Sequence, residues 1–280
     1  MGVAVKTNVR RLLRQYGLRP DKRLGQHFLA DGRLLERIAE AAELTPQDTV
    51  VEIGAGIGNL TRHLAARAGR VIAVEIDPRL RLPLLHQTED FPNVEPVFAD
   101  FLELDLQQLV GQGPYVVVGN LPYVITSPIF HKLLEEGPRP TRMTVLVQKE
   151  VAERIAAGPG KMNLLGLAVQ VHGRPEVLFT VPSGAFVPPP QVASALVRVD
   201  MYPRPLLPEP RRGRLFRLAR AAFGQRRKQL VNTLAPLLGG KDRARQVLEQ
   251  AGVSPSARPE DLGLEDWLRL LQAAEAMGFG

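Results

Sequence analysis

The sequence predicts an α/β protein: a Rossmann-like sheet, mostly parallel with its last strand antiparallel, followed by a small all-helical C-terminal domain. Three observations lead there. Short apolar runs, Val50-Val51-Glu52-Ile53, Val71-Ile72-Ala73-Val74 and Tyr115-Val116-Val117-Val118, alternate with helical patterns, as strands of a buried parallel sheet do. The first run passes into Gly54-Ala55-Gly56-Ile57-Gly58-Asn59, and a helical pattern begins at Leu60. Strand, glycine turn and helix make the opening unit of a doubly wound nucleotide-binding fold. Beyond a proline-rich stretch, the remaining chain shows helical patterns only.

Taken in order, residues 1–30 form a basic segment with a short helix over about 8–16, closed by Gly17, and a loop to Gly25–Leu29. Asp31 caps a helix carrying Leu34, Leu35, Ile38, Ala39 and Ala42. Residues 31–202 make the sheet domain. Its third strand, around Val94 to Phe98, ends at Asp100, and Ser127-Pro128 offer a cap and first-turn proline for the helix after Tyr123. Met143–Val147 is a fifth strand, while Glu176–Val181 and Ala195–Val199 read as a final antiparallel pair joined by a proline loop. Residues 203–210, Pro-Arg-Pro-Leu-Leu-Pro-Glu-Pro, are the linker. The C-terminal domain, 211–280, shows helical patterns at 211–223, 226–238, 241–251 and 264–277, with Trp267, Leu268, Leu270 and Leu271 as core.

The glycines of the turn fall at places one, three and five, whereas a dinucleotide fingerprint needs one, three and six. A nicotinamide cofactor is therefore disfavoured. Glu75 ends the second strand, where a carboxylate can accept both ribose hydroxyls of an adenosine-containing ligand, and Asp100 is placed to accept from an adenine amine. After the Tyr115–Val118 strand comes Asn120-Leu121-Pro122-Tyr123. That tetrapeptide suits a strand-to-helix turn, and equally the grip of a flat base. The Asn side-chain oxygen and a carbonyl beside Pro122 can accept the two hydrogens of an exocyclic amine, and Tyr123 offers a stacking face.

At 280 residues and 45% hydrophobic, the chain can bury a full α/β core. It has no Cys, which excludes disulfides and thiolate metal sites, and His27, His63, His86, His131 and His172 form no close-spaced ligand pair, so no metal is expected. Neither a signal peptide nor a transmembrane run is visible, and the expected setting is the cytoplasm, with no membrane partner. The net charge of +7 is unevenly spread. Residues 1–24 carry seven Lys or Arg and one acid, and 209–280 carry thirteen basic residues and eight acids. Arg211 to Lys228 holds eight cations without an acid, the footprint of a polyanion-binding surface.

These motifs resemble those of the S-adenosylmethionine-dependent methyltransferases, and more narrowly of the ribosomal RNA adenine dimethyltransferases. Gly25-Gln26-His27-Phe28-Leu29 is similar to a family motif that usually reads Gly-Gln-Asn-Phe-Leu. Glu52 to Gly58 matches the glycine loop, Asn120 to Tyr123 the target-base motif, and Phe186 to Ser194 the late Phe-x-Pro-x-Pro-x-Val-x-Ser signature. Ala222 to Leu230 resembles a C-terminal motif of the bacterial small-subunit branch. The departure is His27 in place of Asn.

The resemblance implies a class I methyltransferase sheet and S-adenosyl-L-methionine as cofactor, held by His27, Leu29, Gly54, Gly56, Glu75, Asp100 and Asn120. Its substrate would be two adjacent adenosines in the 3′-terminal hairpin loop of small-subunit ribosomal RNA, each dimethylated at N6. The partner would be an immature 30S-type particle, met by a monomer late in assembly. Asn120 and the Leu121 carbonyl would accept the amine hydrogens and Tyr123 would fix the base plane. Phe186 would either sandwich the base or serve as a core aromatic. Arg220, Arg226, Arg227 and Lys228 would hold RNA phosphates. Two alternatives share these motifs: a macrolide-resistance type methyltransferase of large-subunit RNA, and a ribosome-maturation binding factor whose catalysis is secondary.

Overall fold

The computed structural model describes residues 9–225 and 227–280. The chain opens with α1 (Val9–Gln15), β1 (Phe28–Leu29), α2 (Gly32–Ala41), β2 (Thr49–Ile53), α3 (Asn59–Ala65) and β3 (Arg70–Glu75). Next come α4 (Arg81–Thr88), β4 (Val94–Phe98), α5 (Leu106–Val110), β5 (Tyr115–Asn120), α6 (Thr126–Glu135) and β6 (Arg142–Gln148). They are followed by α7 (Lys149–Ile155), α8 (Leu164–His172), β7 (Gly173–Val181), β8 (Phe186–Val187) and β9 (Ser194–Met201). Four helices close the chain: α9 (Arg211–Phe223), α10 (Leu230–Leu238), α11 (Lys241–Gln250) and α12 (Leu264–Ala276).

Seven strands form one sheet in the order β4-β3-β2-β5-β6-β9-β7, and β1 pairs with β8 in a two-stranded ribbon. Neighbours from β4 across to β6 are parallel, and β9 runs antiparallel to β6 with Arg142 opposite Asp200. That pair also bonds side chain to side chain at 3.0 Å, a cross-strand match of charge that helps fix the register. The chain winds outward from β2 to β4, then returns to lay β5 on the other side of β2. Such a reversal leaves a crevice at the carboxyl ends of the two central strands.

Helices α2 and α3 cover one face, packing Leu35, Ile38, Leu60 and Leu64 onto Val50, Val71, Val116 and Leu146. Each such side chain contributes roughly 1.5–3 kcal/mol on burial, which is why these strands read as near-continuous apolar runs. Asp31 caps α2 as expected, accepting from the N–H groups of Arg33 and Leu34. Gly17, at φ 64°, follows α1, whose Val9, Leu12 and Leu13 pack on Phe28, Ile57 and Leu80. The described part of the basic segment is thus docked on the sheet domain.

The chain divides into two compact units, though not at the expected boundary. One comprises the residues up to Ala152 with Pro175–Met201, the other Glu153–Arg174 with Tyr202–Gly280. Met162, Leu167 and Val171 belong to the core of the second unit, with Leu215, Leu230, Trp267 and Leu270. The apolar pattern of α8 announces burial, but nothing local says against what.

Two helix starts also differ from expectation. α6 begins at Thr126 with no side-chain cap, so Ser127 and Pro128 lie inside its first turn, where the missing proline N–H has no helical partner to lose. α10 begins at Leu230, four residues later than expected. The polar stretch after Gly224 offers no apolar residue to bury until Leu230, which is fully buried.

Candidate active site

The glycine turn leaves β2 with Gly54, Gly56 and Gly58 all left-handed, at φ 76°, 60° and 83°. A Cβ on Gly56 would stand 3.2 Å from the Phe28 ring, so a side chain there would press on the residue of β1 that covers the turn. Glu75, at the end of β3, is 5% exposed. Its Oε2 accepts the Gly56 N–H at 2.7 Å and its Oε1 the Asp77 N–H at 2.8 Å. The carboxylate ties the turn to the next strand and keeps a lone pair on each oxygen for a ligand. Burial still pushes its pKa up, against the pull of those two amides.

Just beyond, the Arg79 guanidinium holds the Asp77 carboxyl below its usual range. Asp77 also accepts from Gln26 Nε2 at 2.8 Å, and Gln26 Oε1 accepts the Asp21 N–H. Gln26 therefore fastens the loop before β1 to the loop after β3.

On the other side of the reversal stands Asn120. Its Nδ2 donates to the His27 carbonyl at 2.8 Å, while its Oδ1 is buried with no partner. The Leu121 N–H donates to the Leu146 carbonyl, which fixes that peptide, and the Pro122 carbonyl is committed to Ile125 and Thr126. Of the carbonyls flanking Pro122, that of Leu121 is the one left for an amine. The His27 ring donates its Nδ1–H to the Pro188 carbonyl, 2.8 Å away, and stacks on Tyr123 with centroids 5.7 Å apart.

The crevice lined by these groups is short of hydrogen. Glu52 Oε2, Asn59 Oδ1 and Asn120 Oδ1 are all buried without a donor. Glu52 is 1% exposed, and burial pushes its carboxyl up to about 8, with the Glu75 charge acting the same way. Unpaired buried acceptors are costly, so a ligand rich in N–H and O–H groups fits here. S-adenosylmethionine presents an ammonium, two ribose hydroxyls and an adenine amine.

Of the expected site residues, His27, Leu29, Gly54, Gly56, Glu75, Asn120, Leu121 and Tyr123 all line this crevice. Two do not. Asp100 caps the turn that follows it, accepting from the Leu102 N–H at 2.9 Å, although the Ala99 N–H on the Glu75 carbonyl keeps it next to the end of β3. Phe186 is a correction: at 2% exposed it belongs to the core with Leu29, Val181 and Leu196, so it has no face for a base. Its place in β8, paired with Leu29, turns it inward. The expected contact of His27 is also changed in kind, since its carbonyl is taken by Asn120 and its ring by Pro188 and Tyr123. Glu52, Asn59 and Gln26 carried no expected role. A carboxyl inside the otherwise apolar run 50–53 was the available signal for Glu52.

In the second unit, Arg220, Arg227 and Lys228 are exposed with no ion pair among the described residues, and Arg226 lies outside those residues. The rest of the basic run is less bare than the sequence suggested. Arg211 and Arg214 bridge to Glu275, Arg212 bridges to Glu209, and Arg217 donates to the Gly280 carbonyl. Glu209 stands just before the run, whereas Glu275 lies far along the chain, which hides it from a local reading.

A model of the ribosomal RNA adenine dimethylase family matches residues 17–275. The chain belongs to this family. A ribosomal RNA small subunit methyltransferase A from Dehalococcoides mccartyi is 42% identical over 269 residues, covering 95% of this chain and 92% of that protein. Its counterpart from Streptococcus pneumoniae is 40% identical over 290 residues, covering 99% and 100%. Among solved structures, the 23S ribosomal RNA methyltransferase ErmE matches with TM-score 0.75 at 33% identity, over 89% of this chain and 99% of that one. A dimethyladenosine transferase from Plasmodium falciparum matches with TM-score 0.79 at 26% identity, over 90% and 99%. As a member of the family, the chain is a ribosomal RNA adenine dimethyltransferase dependent on S-adenosylmethionine.

Proposed function

We propose that the crevice at the ends of β2, β3 and β5 carries out N6-dimethylation of two adjacent adenosines in the 3′-terminal hairpin loop of small-subunit ribosomal RNA. One observation carries the reading: Asn120 Oδ1 is buried and unpaired, with the amide turned by the His27 carbonyl. An aromatic amine is a weak nucleophile because its lone pair is delocalised into the ring. Accepting one hydrogen at Asn120 Oδ1 and one at the Leu121 carbonyl lets the nitrogen become tetrahedral and aim that pair outward. The cofactor supplies an electrophilic methyl on a sulfonium. When bound, the cofactor would offer that methyl to the lone pair aimed by Asn120 and Leu121, and the methylated amine would release its proton to water.

Tyr123 holds the base plane by stacking. Glu75 accepts the ribose hydroxyls, and Glu52, once ionised, accepts from the ammonium end. The protein's contribution is orientation and electrostatics, worth roughly 7–11 kcal/mol at the upper limit for orientation alone. A base must leave its stack to reach such a pocket, so a hairpin loop suits it. The enzyme acts in the cytoplasm as a monomer on an immature small-subunit particle, with Arg220, Arg226, Arg227 and Lys228 on RNA phosphates.

The likeness to a 23S enzyme favours a second reading, action on large-subunit RNA. The higher identity to proteins named for the small subunit supports the first. Labelled methyl transfer to both immature subunits, with primer extension on both RNAs, separates them. Label on two adjacent small-subunit adenosines is expected; label on the large subunit would overturn the first reading.

A further inference from the structure

The late proline motif contributes one residue that the reading above does not use. Ser194 ends that motif and begins β9, opposite Gln148 at the end of β6. Because β9 runs antiparallel, its first residue lies at the edge of the sheet where the parallel strands finish. Ser194 is 0% exposed, and its Oγ stands 2.6 Å from the Tyr123 hydroxyl. Either group can donate in that bond. The opposite constraint on Tyr123 comes from His27, whose ring lies against one face at an interplanar angle of 22°.

We propose that Ser194 is a positioning residue for methyl transfer: with the His27 ring it clamps Tyr123, leaving a single ring face, opposite His27, for the target adenine. This rests on the reading of Tyr123 as the stacking residue. A phenol ring fixed only at its Cβ swings about two side-chain torsions. A hydrogen bond at the far end removes that freedom, and the base plane inherits the orientation of the ring. The His27 ring is itself held by the Pro188 carbonyl. The two arms of the clamp therefore come from the residue before β1 and the first residue of β9, both distant in sequence from the turn after β5 that bears Tyr123. A misaligned base still binds, but its amine points off the line of transfer, so the loss falls on the chemical step.

The test uses the full chain with immature small subunits as RNA substrate. Ser194→Ala, Tyr123→Phe, the double variant and Ser194→Thr are compared in single-turnover methyl transfer, with cofactor and RNA affinities measured separately. Each of the first two should slow single turnover by about five- to tenfold, the scale of one buried hydrogen bond. Both affinities should stay within about twofold, the expectation when a loss is confined to the chemical step. The double variant should be no slower than the slower single one, because both remove the same bond. Ser194→Thr, which keeps the hydroxyl, should recover the rate. A normal rate in Ser194→Ala, additive losses in the double variant, or a loss that tracks weakened cofactor binding would overturn the proposal. Tyr123→Ala serves as the control: wild-type turnover there would overturn the stacking reading itself, and the clamp with it.

Discussion

The His27 carbonyl accepts the Asn120 side-chain N–H at 2.8 Å, and this one contact determines which end of the amide the crevice receives. A carbonyl can only accept, so Nδ2 must face it and Oδ1 must face away. The oxygen is left buried and unpaired. A ligand can supply the donor, and an exocyclic amine is the donor that the substrate of a base-modifying enzyme brings. His27 thus acts through its backbone on Asn120 and through its ring on Tyr123.

Glu75→Ala should weaken S-adenosylmethionine binding by on the order of 10- to 100-fold, since charge-assisted hydrogen bonds are worth roughly 1.5–3 kcal/mol each. The same change frees the Gly56 and Asp77 amides, so the glycine turn should loosen as well. Calorimetry reads the first effect and hydrogen exchange at Gly56 the second. Unchanged affinity would remove Glu75 from the cofactor site.

Glu52 sets a pH dependence in the cofactor-free protein. Its carboxyl is raised from 4.5 to about 8 by burial. Below pH 4.5 folded and unfolded chains are both protonated there, and the group makes no difference. As pH rises toward 8 only the unfolded chain releases the proton, so stability falls across that window. Thermal melts of Glu52→Gln should be flatter than wild type between pH 4.5 and 8. Parallel curves would mean that burial does not raise the Glu52 carboxyl.

The exposed cations of the second unit should govern the salt dependence of RNA binding. Replacing Arg220, Arg227 and Lys228 by Ala should lower the slope of log affinity against log salt by roughly 2, at about 0.7 per phosphate contact. Arg211→Ala should change it less, because Arg211 is engaged with Glu275. Equal slopes in the triple variant and wild type would return these residues to the role of a solvated surface.

Phe186→Ala tests its core placement. Loss of a fully buried aromatic costs about 3–5 kcal/mol, so the melting temperature should drop sharply while cofactor affinity per folded molecule holds. A stable variant with slow turnover would restore the sandwich role.

Much of this architecture was legible in the sequence because parallel strands advertise burial on both faces, as Val71–Val74 and Val116–Val118 do. The crevice followed from topology: polar residues just beyond such runs, at Glu75 and Asn120, must stand at the carboxyl edge. What stayed hidden depends on contacts distant in sequence. The Asn120–His27 bond spans 93 residues and the Tyr123–Ser194 bond 71. Phe186 shares the aromatic signature of a base platform with any core residue, and only its pairing in β8 separates the two. Likewise α8 is as apolar as a sheet-covering helix, yet it packs with Trp267.

The most direct test of the account is the single-turnover rate of Asn120→Ala measured beside its RNA affinity. If the buried Oδ1 accepts from the amine mainly in the transition state, the rate should fall by roughly two to three orders of magnitude, as for a lost transition-state hydrogen bond. RNA affinity, supplied chiefly by phosphate contacts, should change by less than about threefold. A near-normal rate would contradict the account, whatever the affinity.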